Sequence, residues 1–196
     1  MKKVILTGAV IATLAFTPKV QTSTWKIDTS HTKIAFSVTH MMVSETTGKF
    51  KLYEGQVSSS GNDFNDAKID FTVDAGSIDT DDENRDKHLK SEDFFNTEKY
   101  PKMIFKGKSF KKGKGSDYKL TGDLTIRDVT KTVTFDVINN GTVKSPWGQE
   151  VAGFSLSGKL NRIEYGLKWN AILEAGGVTV GEEVRIVCQI ELIKQK

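Results

Sequence analysis

The sequence predicts an all-β fold, an eight-stranded antiparallel barrel carrying one or two short helices. Three observations predict it. Apolar and polar residues alternate with period two along most of the chain beyond residue 22. Each alternating stretch has one dry and one wet face, as antiparallel sheets do. A sheet of that extent must also hide its edges, and eight strands usually do so by closing into a barrel. Composition agrees: of 196 residues, 37% are hydrophobic and 27% charged, which describes one soluble globular domain rather than a disordered chain.

The first segment is read separately. Lys2 and Lys3 precede residues 4–16, an uncharged and mostly apolar run, and Pro18 follows. The run is too short for a hydrocarbon core of about 30 Å, which takes roughly 20 residues, so no membrane span is expected. The pattern is that of a bacterial-type secretory signal. Residues 1–22 are therefore assigned to a signal peptide and 23–196 to the barrel domain, with a periplasmic or secreted destination. Lys2, Lys3 and Lys19 are three of the 28 basic residues, and the other 25 match the 25 acids. A balanced mature chain offers no nucleic-acid footprint.

The strands follow in order. Residues 25–28 open the domain. Ile34, Phe36 and Val38 share one face, and residues 40–48 make a short helical or irregular excursion. Residues 49–57 form the next strand, then Ile69-Phe71-Val73 and Met103-Phe105. Tyr118, Leu120, Leu124 and Ile126 share a face, as do Val133, Phe135 and Val137. Phe154, Leu156 and Leu160 continue the rule, and Val184, Ile186, Cys188, Ile190 and Leu192 close it. Asn139-Asn140-Gly141 is a hairpin signal, because a type I′ turn needs positive φ at both central positions. Residues 111–117 are a polar connector. Residues 80–95 look helical, with Thr80 as cap and Glu83 returning the bond. Gly107, Gly122 and Gly158 fall on the dry phase, where they either leave space inside a barrel or permit strand bending.

Catalytic candidates are few. His31, His40 and His88 have no partner at metal-ligand spacing, so no metal is expected. His40 continues the dry phase and could sit at a cavity mouth. Residues 79–83 are acidic, but an EF-hand counted from Asp79 would need Gly and Glu where Asn84 and Lys90 stand. Nucleophile-elbow, phosphate-loop and zinc-protease motifs do not occur. Cys188, the single cysteine, reads as a small core residue. Binding is favoured over catalysis, and no cofactor is called for. Most of the 11 phenylalanines lie on the dry phase or near the helix end, and these would line a greasy tunnel if the barrel has a gap. Each buried CH₂ of a ligand contributes roughly 0.8 kcal/mol, so about ten would hold a hydrocarbon near the micromolar range after binding costs.

The chain resembles the YceI-like family across residues 25–192. The resemblance rests on Trp25-Lys26-Ile27-Asp28 with Ser30-His31; Phe36 to Met41; Arg85 to Ser91 with Asp93-Phe94-Phe95; and Tyr100-Pro101. It continues through Gly122 to Ile126 with Val129-Thr130-Lys131, Asn161-Arg162 with Tyr165-Gly166-Leu167, and Val180 to Val184. Two positions depart from the family pattern: Thr132 stands where Pro is frequent, and Glu164-Tyr165 where Asp-Phe is. The resemblance implies an exported bacterial protein with a lipocalin-like barrel around a long apolar ligand: a polyisoprenoid, an isoprenoid quinone or a fatty amide. It leaves a homodimer open.

The expected function is reversible, non-catalytic lipid binding. The expected lining is Phe36, Val38, Met41, Phe50, Phe71, Leu89, Phe95, Met103, Phe105, Leu124, Phe135, Phe154 and Trp169, with His40 and His88 as polar contacts near an opening. Two alternatives stay open. One is a hydrolase or isomerase that uses His40 or His88 with a carboxylate. The other is a stress-response interaction module with a filled core.

Overall fold

In the computed structural model, residues 22–60, 63–174 and 176–195 are described. The assigned signal, up to residue 21, lies outside them. Eleven strand segments form one sheet: β1 (Ser23–Ile27), β2 (Lys33–His40), β3 (Ser44–Phe50), β4 (Tyr53–Ser59), β5 (Lys68–Asp74), β6 (Ile78–Asp79), β7 (Lys102–Lys112), β8 (Asp117–Ile126), β9 (Val129–Lys144), β10 (Glu150–Asn161) and β11 (Val180–Lys194). Their hydrogen-bonded order runs β1-β4-β5-β7-β8-β9-β10-β11, and β11 pairs back onto β1 through Trp25↔Lys194 and Ile27↔Leu192. That is the eight-stranded closed antiparallel barrel expected.

The three extra segments come from kinks. β2 pairs with β11 beyond β1, and β3 pairs with β2 while β4 pairs with β1. Each couple is therefore one stave broken by a short irregular link. β6 likewise extends β5 past a single 3₁₀ turn, Ala75–Ser77. The expected strand over 49–57 is thus two, broken at Lys51 and Leu52, whose amides donate to Ser77 Oγ at 3.1 and 3.0 Å.

Three local readings are corrected. Asn139-Asn140-Gly141 is not a hairpin: β9 runs straight through it, and the register slips between Gly153 and Phe154, opposite Asn140. The same chemistry builds a bulge, because Gly141 takes φ 110° and Asn139 Oδ1 accepts from Gly141 N at 2.9 Å. The hairpin turn lies at Ser145–Gly148 instead, closed by Gly148 N to Ser145 O at 2.9 Å. The helix α1 is only Glu83–Lys90, capped by Asp82, whose side chain accepts from Arg85 N at 2.9 Å. Asp81 at φ 60° ends the run from Thr80, whose Oγ1 donates to Asp86 Oδ1 at 2.6 Å. Residues 41–43 are a tight turn, with no helix between β2 and β3.

The barrel ends differ. One is plugged by packed aromatics: Trp25 tilted against Phe64 and Phe64 edge-on to Phe154, centroids 5.0 Å apart in each, and Phe110 stacked on Tyr118 at 4.7 Å. The other is covered by α1, the segment 91–101 and the residues that join β10 to β11.

The inward glycines make room for neighbouring rings and do more than allow bending. A methyl on Gly48 would overlap the Phe36 ring, on Gly55 the Phe71 ring, on Gly122 the Phe105 ring, and on Gly158 the Phe135 ring. Each glycine is a seat on which a neighbouring strand's phenylalanine lies. Gly158→Ala is therefore expected to cost about 1–3 kcal/mol by overpacking. Adding Phe135→Leu should return part of that loss. Urea denaturation of the two variants checks it, and purely additive effects would refute the seat.

Candidate functional site

The barrel encloses a cavity of about 230 Å³. Its floor can be traced strand by strand. Leu156 lines it but Phe154 does not; Leu120 does but Tyr118 does not; Phe105 does but Phe110 does not; Ile190 does but Leu192 does not. In each pair, the residue off the wall lies toward the aromatic plug. The cavity thus occupies the unplugged half of the barrel, and the other half is packed core.

Of the expected lining, Phe36, Val38, Phe50, Phe71, Leu89, Phe95, Met103, Phe105, Leu124 and Phe135 meet on this wall. The other five lie off it. Phe154 is part of the plug. Met41 is in the turn after β2, where φ of 47° swings the backbone out and leaves the side chain 45% exposed. His40 ends β2 beside that turn. His88 stands on α1, bonded through Nε2 to Asp93 Oδ2 at 2.9 Å. Its ring meets Trp169 edge-on at 4.8 Å and Phe94 at 5.1 Å. His88 and Trp169 thus belong to the cover over the open end. The His88–Asp93 pair is part of that cover, and neither His88 nor His40 is on the cavity wall.

The sequence reading also missed wall residues. Ile34, Ile69, Ile186 and Ile190 carried the right phase but were passed over for aromatics. Arg162 and Tyr165 carried no periodic signal, because they sit on a single 3₁₀ turn, Arg162–Tyr165, after β10. Asn161 caps that turn, its Oδ1 accepting from Ile163 N at 2.9 Å, and Gly166 at φ 81° ends it.

This turn holds the only charged group on the wall among the described residues. Arg162 is 5% exposed. Its Nε donates to Gly181 O (2.8 Å), its Nη1 to Leu167 O (2.5 Å) and Trp169 O (2.9 Å), and its Nη2 to Val180 O (3.0 Å). The β11–β2 ladder breaks between Val180 and Val184, and the guanidinium picks up two carbonyls at that break. One side chain thereby fastens the segment after the turn to the start of β11. Burial lowers the Arg162 pKa, opposed by the charge of Glu182. Burial also pushes the Tyr165 hydroxyl up to about 12 and the Cys188 thiol up to about 11. Both stay protonated at neutral pH, so Cys188 is no nucleophile.

One further cluster stands apart from the cavity wall. Asp28, His31 and Glu191 bring one ligand atom each within 4.8 Å of one another. The loop between β1 and β2 positions them: Ser30 N donates to Asp28 Oδ1 at 2.8 Å, and Glu191 N to Thr32 Oγ1 at 3.0 Å. This set is what a cation would meet, although Asp28 and His31 already pair at 2.8 Å. The hydrogen bond from His31 lowers the Asp28 pKa below 3.8, and the same bond raises His31 above 6.5.

The His31 contribution to stability is therefore fully present below pH 6.5 and lost as pH climbs past its raised value. The Asp28 contribution is present above pH 3.8 and lost as pH falls past its lowered value. A ring-proton NMR titration should give His31 a midpoint above 6.5 that moves down in Asp28→Asn. A midpoint that Asp28→Asn leaves in place would refute the pairing.

The sequence profile of the YceI-like domain matches residues 25–192. A UPF0312 protein of Staphylococcus epidermidis is 41% identical over 168 residues, covering 85% of this chain and 95% of the relative. The crystal structure of the Campylobacter jejuni YCEI protein superposes with a TM-score of 0.69 at 29% identity, over 81% of this chain and 90% of that one. A polyisoprenoid-binding domain from Saccharophagus degradans superposes with a TM-score of 0.64 over 87% of this chain and 98% of that one. At 12% identity it is a likeness of fold.

Proposed function

This chain belongs to the YceI-like domain family, and from that premise we propose that it is an exported lipid-binding protein that holds a long apolar molecule in its barrel and catalyses nothing. The observation that carries the reading is the cavity, a space of about 230 Å³ walled by aromatic and aliphatic side chains in a fold whose interior could have been filled. The solved polyisoprenoid-binding domain of the same fold supports a prenyl chain as occupant. An isoprenoid quinone or a fatty amide presents the same hydrocarbon to the wall.

Affinity follows from burial. About ten CH₂ groups at roughly 0.8 kcal/mol each give ~8 kcal/mol before binding costs. A chain of that length is held near the micromolar range without any polar contact. The leader-like first 22 residues support release beyond the cytoplasmic membrane, into the periplasm or the medium.

Native mass spectrometry of protein purified from its own host, followed by solvent extraction, should recover a bound lipid. Empty protein that also takes up no quinone or prenyl probe would overturn the proposal. Leu124→Arg puts a charge on the wall and should abolish uptake. Leu124→Trp fills the bore and should weaken binding at least tenfold while the fold persists by circular dichroism. Uptake unchanged in both variants would show that the lipid sits elsewhere.

A further inference from the structure

Four large apolar side chains that stay in solvent gather on two neighbouring turns. Met42 and Val43, between β2 and β3, are 63% and 86% exposed, with Met41 beside them. Ile172, in the stretch that joins β10 to β11, is 88% exposed. The backbone ties the two turns together. Met41 N donates to Thr179 O at 2.8 Å, Thr179 N donates to Ala171 O at 2.9 Å, and Ile172 bridges antiparallel to Val178. Met42 lies over Gly177, its Cγ 3.3 Å from where a methyl on that glycine would stand. The two turns make one small tip.

The tip stands at the open end of the barrel. Val38 and Val180 are cavity wall, His40 pairs with Val180, and Met41 follows at once, so the tip starts where the wall stops. Exposed Trp147 lies at the opposite end, on the hairpin between β9 and β10 beyond the aromatic plug. The turn holds Met41 and Met42 at φ of 47° and 63°, where Gly or Asn would sit with less strain. The tip is also nearly free of charge. Residues 38–44 contain no Asp, Glu, Lys or Arg, and residues 169–181 contain only Glu174. Flanking Glu45 and Glu183 are paired with Arg185 at 2.6 Å and Lys159 at 2.9 Å.

Those features select the partner. A tip without cations has nothing to draw an anionic surface, and an uncharged one can enter the acyl boundary of a bilayer at little cost. Four such side chains expose on the order of a few hundred Å², short of the ~800 Å² per partner of a stable protein interface. A bilayer accepts a small projecting tip. We propose that Met41, Met42, Val43 and Ile172 dock the protein on a lipid bilayer, with the open end of the barrel turned toward the membrane that supplies its occupant. This rests on the cavity being a lipid site and adds the surface from which the lipid is taken.

Co-sedimentation of the mature chain with phosphatidylcholine vesicles tests it. The wild type should sediment with the vesicles equally at low and high salt, since apolar insertion is not screened. Met42→Gln with Ile172→Gln should weaken partitioning at least tenfold, by loss of two buried apolar side chains. Its melting temperature should hold, because both positions face solvent, and Trp147→Gln should leave partitioning unchanged. The double variant should take up a prenyl quinone from cyclodextrin with wild-type affinity, but from vesicles at least tenfold more slowly. Docking is overturned if the wild type stays in the supernatant, if the double variant sediments as well as the wild type, or if Trp147→Gln abolishes sedimentation. Binding that needs anionic lipid and low salt overturns it too, as does a dimer in solution that the double variant dissociates. A wild type that takes up no quinone from cyclodextrin overturns the lipid reading, while sedimentation still reads the docking by itself.

Discussion

An eight-stranded barrel is only just wide enough to be filled by its own side chains, so the placement of bulk decides whether this one is solid or hollow. Phenylalanine is the bulkiest frequent residue on the inner face, and four of its rings lie over glycines: Phe36 on Gly48, Phe71 on Gly55, Phe105 on Gly122 and Phe135 on Gly158. A ring pressed onto a residue without a side chain stays against the wall and keeps off the axis. All four of these rings border the cavity. In the plugged half the rings do the opposite. Phe154 meets Phe64 and Phe110 edge-on, Phe64 packs against Trp25 and Phe110 stacks on Tyr118, so the axis is filled. The same residue type makes both a plug and a tunnel, and the glycine opposite it selects which.

The two ends are thereby made unlike. The plug is a floor of fixed depth, because its aromatics are packed and buried. The cover is assembled from short, non-ladder pieces: α1, the segment after it, and the stretch from Arg162 to Val180. Such pieces bond their own backbone locally but lie outside the barrel ladder, so side chains help fasten them to one another. Arg162 supplies four such bonds and Arg127 binds the carbonyls of Phe94 and Gly166, so two guanidinium groups fasten most of the cover. Buried charge is costly, and both arginines spend it where regular structure is missing.

What was legible in the sequence is what periodicity encodes. Alternation located the staves, and the dry phase picked out eight of the ten expected residues that meet on the wall, while Leu89 and Phe95 come from α1 and the segment after it. It failed where a local signal has two structural readings. Asn-Gly suits a type I′ turn and a bulge equally, because both need positive φ, and only the pairing of β10 decides between them. Thr80 and Asp82 are both good caps, and the conformation of Asp81 decides. Phe154 has the right phase but the wrong depth, since alternation gives the face of a strand and says nothing about position along the barrel axis. His40 and Met41 were placed by continuing a phase past the point where β2 ends. Of the kinks that divide three staves, the one between β1 and β2 shows as a gap in the alternation, while those at Lys51–Leu52 and Ala75–Ser77 were not anticipated.

Arg162 and Tyr165 illustrate a deeper reason for such failures. Within a closed barrel every ladder amide and carbonyl is paired, so the lumen wall has little polarity to offer. Polar chemistry can reach the interior only from a segment that has left the ladder, and the turn after β10 is one, capped by Asn161 and ended by Gly166. A signal tied to two-residue periodicity is blind there by construction. The same constraint governs any occupant. The aromatic floor closes one end, so an occupant enters from the covered end, and the depth from the cover to Phe154 sets how much of it is housed. Lipids longer than that have to extend through the cover, past Phe94 and Trp169, and their bound state depends on how firmly the two arginines hold it shut.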